Sequence, residues 1–411
     1  MSHSKHHVII GNCIAGTSAA NTLRNFAPQD KITMISDEAV PAYSRCLITY
    51  YLAGDVTRKH LLSHSNKWYS ERNIDLNLKT KVVKVDTERK KIKTDNKKSF
   101  SYDKLLVATG AQPIFFPTIS YDPKGLIGMR TYDDASALLK WASPGKKALV
   151  IGAGFVGLKS AYALMKRGVS VRVVELLPTV LGRMADQEAS MRIVEKFTSN
   201  DRMDITLNAS VLRADRDGSC YRAHLSTGEE LVVDFIVMSV GVRPNVYMLE
   251  DTDVEINRAI IVDENQRTSN NDIFAAGDVC LSKELITGQV INNAIWPVAA
   301  AQGRVAAMNM LDMESRFEGN IVQNSVDFFG LWITALGDVQ ASGEGVEFKT
   351  YSTEKVYQKL VFKDSKLVGF MATGNVDFAG VLQTLIKEKA SWNDILANKY
   401  SRLIPVVAVH A

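Results

Sequence analysis

Two stretches of the chain carry the same hydrophobic pattern. Val8–Ile35 and Ala148–Glu175 each open on a short apolar run, pass through a glycine-rich turn, continue with helical spacing and end on a second apolar run. A strand buried on both faces of a parallel sheet needs such an unbroken run, so each stretch predicts a strand, a crossover helix and a parallel strand. Further apolar runs at Leu105–Pro113, Phe235–Val240 and Asp272–Asp278 predict strands of the same kind. Alternating apolar and polar residues at Lys79–Asp103, Ile205–Val211 and Arg222–Leu225 predict antiparallel strands with one wet face. Asn292–Leu311 predicts a helix with Trp296-Pro297 in its first turn, where proline is tolerated. Beyond about residue 322 the pattern changes. Short alternating strands are predicted at Trp332–Leu336, Phe348–Tyr351, Gln358–Phe362 and Leu367–Thr373, then a helix at Ala379–Glu388, together a small α+β domain.

The turns carry the candidate chemistry. In the second stretch Gly152, Gly154 and Gly157 follow the spacing Gly-x-Gly-x-x-Gly between strand and helix. The first permits the tight turn, the second lets backbone approach a pyrophosphate, and the third lets helix and strand pack closely. The pyrophosphate then meets unpaired N–H groups at the helix N-terminus. Glu175 ends the next strand, placed to accept from a ribose 2′-hydroxyl and to repel a 2′-phosphate, which favours NAD(H) over NADP(H). In the first stretch Gly11 and Gly16 hold the outer positions, and Cys13, a small residue, replaces the middle glycine. Its second strand ends at Ser36-Asp37-Glu38, of which Asp37 is the favoured ribose acceptor. Two such units most simply bind two dinucleotides. The fold class that follows is α/β, with two Rossmann-like domains and the small C-terminal domain.

Pro41–Gly54 follows the first unit's second strand, and its Arg45 is a candidate for holding pyrophosphate or ring carbonyls through its fork of donors. Cys46 beside it reads equally as a buried small residue or a redox thiol. Asp278, ending a strand, can accept from sugar or ribitol hydroxyls, and the helix beginning near Trp296 directs its dipole toward an electron-rich ring.

Bulk properties narrow the setting. A chain of 411 residues, 46% apolar and 23% charged, suggests two or three soluble domains. No apolar run reaches the ~20 residues of a membrane span. The first strand begins almost at the N-terminus, leaving no room for a signal peptide, and His3, His6 and His7 are expected to be tail residues rather than metal ligands. A formal net charge of +4 is too small to argue for nucleic acid. Its densest basic stretch, Lys79–Lys98, reads as a solvated hairpin face or as a docking patch for an acidic partner. The four cysteines, Cys13, Cys46, Cys220 and Cys280, form no CxxC pair, so a reduced cytoplasmic protein without its own metal centre is expected.

Four motifs in order, the Gly11 turn, Ala108-Thr109-Gly110, the GAGFVG from Gly152 to Gly157, and Ala275–Asp278, make the chain resemble the pyridine nucleotide–disulfide oxidoreductase superfamily over nearly its whole length. The resemblance implies FAD on the first unit, held by Gly11, Cys13, Gly16, Asp37, Arg45, Val82, Ala108, Thr109, Gly110, Gly277, Asp278 and Trp296. It implies NAD(H) on the second, held by Gly152, Gly154, Phe155, Val156, Gly157, Glu175 and Gly241. It also implies a split FAD domain (1–113 and 245–321), an inserted NAD domain (114–244) and a C-terminal interface domain (322–411). Hydride would pass between nicotinamide and flavin, and the flavin would exchange single electrons.

Within the superfamily the CxxxxC redox pair is absent, and two branches compete. Tyr43-Ser44-Arg45, Trp296 (six residues before Gln302-Gly303) and Asp327-Phe328-Phe329-Gly330 are similar to the ferredoxin- and rubredoxin-reductase branch. Closest in character are the FAD subunits of bacterial aldehyde and phenylglyoxylate oxidoreductase complexes. That branch implies an iron–sulfur protein or subunit as partner, a place in a hetero-oligomer, and Trp296 on the electron exit. The rival branch holds the single-cysteine NADH oxidases, peroxidases and coenzyme A-disulfide reductases. It matches Cys46-Leu47-Ile48-Thr49-Tyr50-Tyr51 and makes Cys46 catalytic. A third reading is a flavoprotein whose NAD-dependent state is sensed by a partner. Two positions depart from the pattern. Lys159 stands where a glutamate is usual, and Tyr50 where ferredoxin reductases have a lysine near the flavin.

Overall fold

The computed structural model describes residues 4–399 and 401–410. Two five-stranded parallel sheets form its centre, and they are built alike. In the first, the order is Ile273–Ala275, Lys104–Val107, His6–Ile10, Lys31–Ile35 and Ile74–Asn77. In the second it is Leu126–Gly128, Phe235–Met238, Lys147–Ile151, Ser170–Val174 and Met203–Thr206. Each sheet has its glycine turn at the end of the central strand and a three-stranded antiparallel sheet beside it, Val82–Asp86, Lys91–Thr94 and Ser99–Ser101 in one, Val211–Asp217, Cys220–Leu225 and Glu230–Val233 in the other. The chain leaves the first unit along Ala111–Pro113 and returns along Val242–Pro244, and these two segments pair antiparallel.

The glycines explain why the turns are so close. Gly11 has φ 121°, and a Cβ built on it would lie 2.1 Å from the Ala108 carbonyl oxygen. On Gly16 a Cβ would lie 2.0 Å from the carbonyl oxygen of Gly11. Gly152 and Gly157 repeat this against Ser239 and Gly152, at 2.4 and 2.0 Å. The middle position differs. Gly154 sits at φ −73° with nothing within 4 Å of an added Cβ, and Cys13 occupies the same place at φ −110°. Any residue adopts that backbone, so cysteine fits there without strain.

A third, antiparallel sheet follows in the order Gln323–Phe328, Leu331–Gly337, Lys366–Thr373, Tyr357–Lys363 and Val346–Ser352, with the Ala379–Lys387 helix against it. Its side chains share one core with the second unit: Val326, Phe328 and Ile333 are buried with Leu164, Ile193 and Phe197. The Tyr357 hydroxyl donates to Asp186 at 2.7 Å across the same contact. No helix among the described residues is long and apolar enough to cross a membrane.

Several expectations need correction. His6 and His7 belong to the first strand, and His7 is fully buried, its Nε2 2.8 Å from Asp30; His3 lies outside the described residues. Ile205–Val211 is not one alternating strand. Met203–Thr206 joins the parallel sheet, Asn208 turns the chain at φ 55°, and Val211 begins an antiparallel strand. The predicted helix at Asn292 starts at Trp296, because Asn292 donates its side-chain amide to the carbonyls of Asp278 and Cys280 instead. The Gln323–Phe328 strand had no clear alternation to announce it. On the basic hairpin, Lys84, Arg89 and Lys90 pair with Asp251, Asp86 and Asp272.

Two outcomes follow. Gly157→Ala forces a Cβ into backbone and loses stability by about 1–3 kcal/mol, whereas Gly154→Ala does not; thermal melts of the two apoproteins should separate by several degrees, and equal melting points would refute the packing argument. His7 should make the fold acid-sensitive. Burial lowers its pKa below the ordinary 6.5, and its Nδ1 has no partner among the described residues, so the folded state holds a neutral ring that donates to Asp30. As pH falls through 6.5 the unfolded chain gains a proton the folded chain resists, and stability declines. His7→Gln, which keeps a donor, should melt with a smaller loss between pH 7.5 and 5.5 (about two units spanning the ordinary value) than wild type.

Candidate functional site

The two units face each other across a cavity of about 260 Å³. The Ile14–Phe26 helix begins at its wall, and Cys13 at the N-cap makes no side-chain cap bond. The same is true of Gly154 before Phe155–Lys166, whereas Thr131 and Asp186 cap their helices with their side chains. Uncapped first turns leave N–H groups free for an anion.

Of the residues expected to hold FAD, all but Gly16 line this one cavity: Gly11, Cys13, Asp37, Arg45, Val82, Ala108, Thr109, Gly110, Gly277, Asp278 and Trp296. Gly16 lies behind, where its lack of a side chain admits the Gly11 carbonyl. Of the residues expected to hold NAD(H), Phe155 and Val156 line the cavity, whereas Gly152, Gly154, Gly157, Glu175 and Gly241 do not. Glu175 holds its own turn instead, accepting from the N–H groups of Ala153 and Leu177 at 2.6 and 2.9 Å.

A network of charges shapes the cavity. Glu38 accepts from the Tyr43 hydroxyl at 2.6 Å and from Arg45, and Arg45 donates on to the Arg130 carbonyl at 2.7 Å. This occupies Glu38 and leaves Asp37 without a side-chain donor among the described residues. Burial, with Glu38 adding to it, raises the Asp37 pKa. Arg130 comes from the second unit. It donates to Asp278 at 2.6 Å and to the Ala111 carbonyl at 3.1 Å, so it orients Asp278 from across the cavity. Thr109 and Asn245 tie the two connecting segments together, Thr109 Oγ1 donating to the Asn245 carbonyl at 2.8 Å and Asn245 Nδ2 to the Thr109 carbonyl at 3.0 Å.

Among the described residues, two that line the cavity keep a buried polar atom without a partner, Asn12 Nδ2 and Asn245 Oδ1. Buried polar atoms are rarely left unpaired, and one donor and one acceptor over a glycine cradle fit a polar, anionic dinucleotide. Cys46 is exposed into the cavity; its surroundings raise its thiol pKa by burial, against which the charge of Lys159 acts. Trp296, half-buried, is the first residue of the Trp296–Met310 helix and lines the same cavity. Sequence reasoning missed Asn12, Arg130 and Asn245, and it weighed Glu38 as a ribose acceptor without foreseeing its bonds to Tyr43 and Arg45. Arg130 had no local signal, because its partners lie 19 and 148 residues away.

Two dinucleotide folds meeting over one polar cavity define an NAD(P)H-linked flavoprotein oxidoreductase. The chain belongs to the pyridine nucleotide-disulphide oxidoreductase family, whose profile matches residues 5–303. It is 29% identical over 98% of its length to a nitrite reductase [NAD(P)H] of Bacillus subtilis, but covers 49% of that protein. It is equally 29% identical to an assimilatory nitrate reductase electron transfer subunit of the same organism, again over 49% of the relative. The chain thus spans about half the length of these two relatives. An NADH oxidase of Methanocaldococcus jannaschii is 30% identical over 98% of this chain and 96% of its own. Among solved structures, an NAD-dependent persulfide reductase from A. fulgidus superposes with a TM-score of 0.90 at 25% identity, covering 98% of this chain and 82% of that one. Members of the family bind FAD and NAD(H).

Asp278→Asn should weaken FAD binding about tenfold, the loss of roughly 1.4 kcal/mol from a charge-assisted hydrogen bond, with the melting point of the apoprotein little changed. Flavin titration of the apoprotein measures it, and full affinity in the variant would exclude Asp278 from the site.

Proposed function

We propose that the chain is the NAD-linked flavin component of an electron-transfer system, moving electrons between NADH and an iron–sulfur protein or subunit through FAD. The observation that carries this reading is Trp296, which begins its helix half-buried at the wall of the cavity and supports an electron exit there. The raised thiol pKa of Cys46 agrees with this reading without carrying it, since a redox thiol works as the thiolate. The phenylglyoxylate dehydrogenase subunit epsilon of Aromatoleum evansii and the rubredoxin-NAD(+) reductase of Pseudomonas putida are relatives at 28% and 27% identity. Both names fit a flavin component that serves a partner, and we extend this to a hetero-oligomer working in the cytoplasm. The division into 1–113 with 245–321, 114–244 and 322–411 belongs to the same proposal, supported by the antiparallel ribbon at its boundaries.

In this reading the side chains bind and orient. Asp37 accepts from the ribose of FAD and Asp278 from its ribitol. The first turn of the Ile14–Phe26 helix receives the pyrophosphate, and Arg45, held by Glu38, sets the wall beside it. Phe155 and Val156 border the place where the second dinucleotide enters, and Glu175 favours NADH over NADPH by its charge. When bound, the two cofactors supply the redox chemistry: nicotinamide exchanges two electrons with the flavin, and the flavin exchanges them singly with the partner.

One observation favours a second reading. Cys46 opens into the cavity within the field of Lys159, and the M. jannaschii relative is an NADH oxidase. A stand-alone NADH oxidase, peroxidase or disulfide reductase would use that thiol. Anaerobic titration with NADH separates the two. The electron-transfer reading expects full flavin bleaching at one equivalent, no long-wavelength charge-transfer band, and the same titration in Cys46→Ser. A second equivalent, with a band that Cys46→Ser abolishes, would replace it with the thiol reading.

A further inference from the structure

Among the described residues Lys159 is a cation without a counter-ion, at the point where the two units meet. It sits little more than one turn into the Phe155–Lys166 helix and lines the large cavity. Its Nζ lies 4.4 Å from the centre of the Tyr50 ring and 5.1 Å from that of Phe155, and donates to the Tyr50 hydroxyl at 3.3 Å. Among the described residues it has no ion pair. The other cations lining the cavity are balanced: Arg45 by Glu38, Arg130 by Asp278, and Lys81 lies over the Tyr247 ring at 4.8 Å, within the field of Asp37. A lysine near a helix N-terminus opposes the dipole, so helix stability gives no reason for it.

Behind Lys159 is a second, small cavity of about 10 Å³, near the lower limit for one water. Tyr50, Tyr162, Asp55 and Asp327 line it together with Lys159. Asp55 is taken by Lys166. Asp327 is not taken: its Oδ1 is buried without a partner, and it too has no ion pair among the described residues. Lys159 thus lines both cavities, and Asp327, likewise without an ion pair among the described residues, lines only the smaller one with it. The ammonium's field reaches into the cavity, since it acts on the Cys46 thiol.

We propose that Lys159, clamped between Tyr50 and Phe155, is the charge that stabilises the electron-rich form of the ring bound in this cavity, and that Asp327 tempers it from behind. This rests on the cavity being the flavin site. Hydride from NADH brings two electrons and one proton, so the ring gains one net negative charge as NADH becomes NAD⁺. A fixed ammonium in a site of low dielectric lowers the energy of that anion relative to the neutral oxidised ring. The preference between reduced and oxidised flavin then depends on a lysine of the second unit and a carboxylate of the third sheet.

Sulfite tests this, because it adds to oxidised flavin to give an anionic adduct that needs the same stabilisation. Purified flavin-loaded wild type, Lys159→Met, Lys159→Arg and Asp327→Asn would be titrated with sulfite, and their midpoint potentials measured by spectroelectrochemistry. Lys159→Met should weaken sulfite binding at least tenfold and lower the two-electron potential by about 30 mV per tenfold. Lys159→Arg should stay within about threefold of wild type, and Asp327→Asn should move the opposite way, to tighter sulfite and a higher potential. Unchanged values in Lys159→Met overturn the proposal, as does a shift of Asp327→Asn in the same direction as Lys159→Met, which would mark a general disturbance. If Lys159→Met loses its flavin, Asp327→Asn still decides, since only a charge effect makes removal of a carboxylate tighten an anion. Wild type that binds no flavin would refute the functional reading itself, and the proposal with it.

Discussion

The close approach of backbone to backbone at the glycine turns is the constraint on which the rest depends. At Gly11 and Gly16, and again at Gly152 and Gly157, a single added methyl would fall about 2 Å from a carbonyl oxygen. That contact fixes the helix N-terminus against the end of the central strand, and it brings unpaired N–H groups to the edge of the sheet. Without it the helix would stand off, and its positive end would have no defined place in the cavity. The middle position is free of the constraint, which is why Cys13 and Gly154 are interchangeable as backbone although not as chemistry. A side chain there changes what the turn presents to a ligand and leaves the turn itself alone.

The second unit finishes a site that the first begins. Arg130 crosses to Asp278 and to the Ala111 carbonyl, while its own carbonyl accepts from Arg45. A part-buried ion pair of this kind adds little net stability, because removing both charges from water offsets much of their attraction. Its effect is geometric. Asp278 is held in one orientation, Glu38 is occupied by Tyr43 and Arg45, and Asp37 is left without a side-chain donor among the described residues. The charges select which carboxylate faces the ligand.

The sequence reveals the elements whose cause is local. Unbroken apolar runs, glycine spacing and terminal acids all arise within about thirty residues, the span of a βαβ unit, and from them both parallel sheets and the glycine turns could be read. Residues whose reason is distant were invisible. Arg130, Asn245 and His7 are unremarkable in sequence, and their meaning comes from Asp278, Thr109 and Asp30. Ile205–Val211 misled because alternation does not reveal that Asn208 turns the chain out of one sheet and into another. Glu175 was placed correctly at the end of its strand, just past Val174, but no pattern shows that its carboxylate already serves its own turn.

The third sheet has a part in this arrangement beyond covering the second unit. Phe329 stands at the tip of its first hairpin with φ 54°, a conformation that disfavours a residue with a Cβ by about 1–2 kcal/mol. An asparagine or glycine would relieve that strain, so the phenylalanine must be retained by what its ring touches. It packs edge-on against Tyr162 at 4.6 Å and Phe197 at 5.2 Å, and aromatic pairs of this geometry contribute about 0.5–1.5 kcal/mol each beyond their buried area. The strain is therefore offset by anchoring the hairpin to the helices of the second unit. Asp327 lies two residues before this anchor, and Tyr162 lies one turn after Lys159 on its helix. The same packing that justifies an awkward phenylalanine thus fixes the spacing between the unpaired carboxylate and the unpaired ammonium, and a charge effect on the cavity requires that spacing to be rigid.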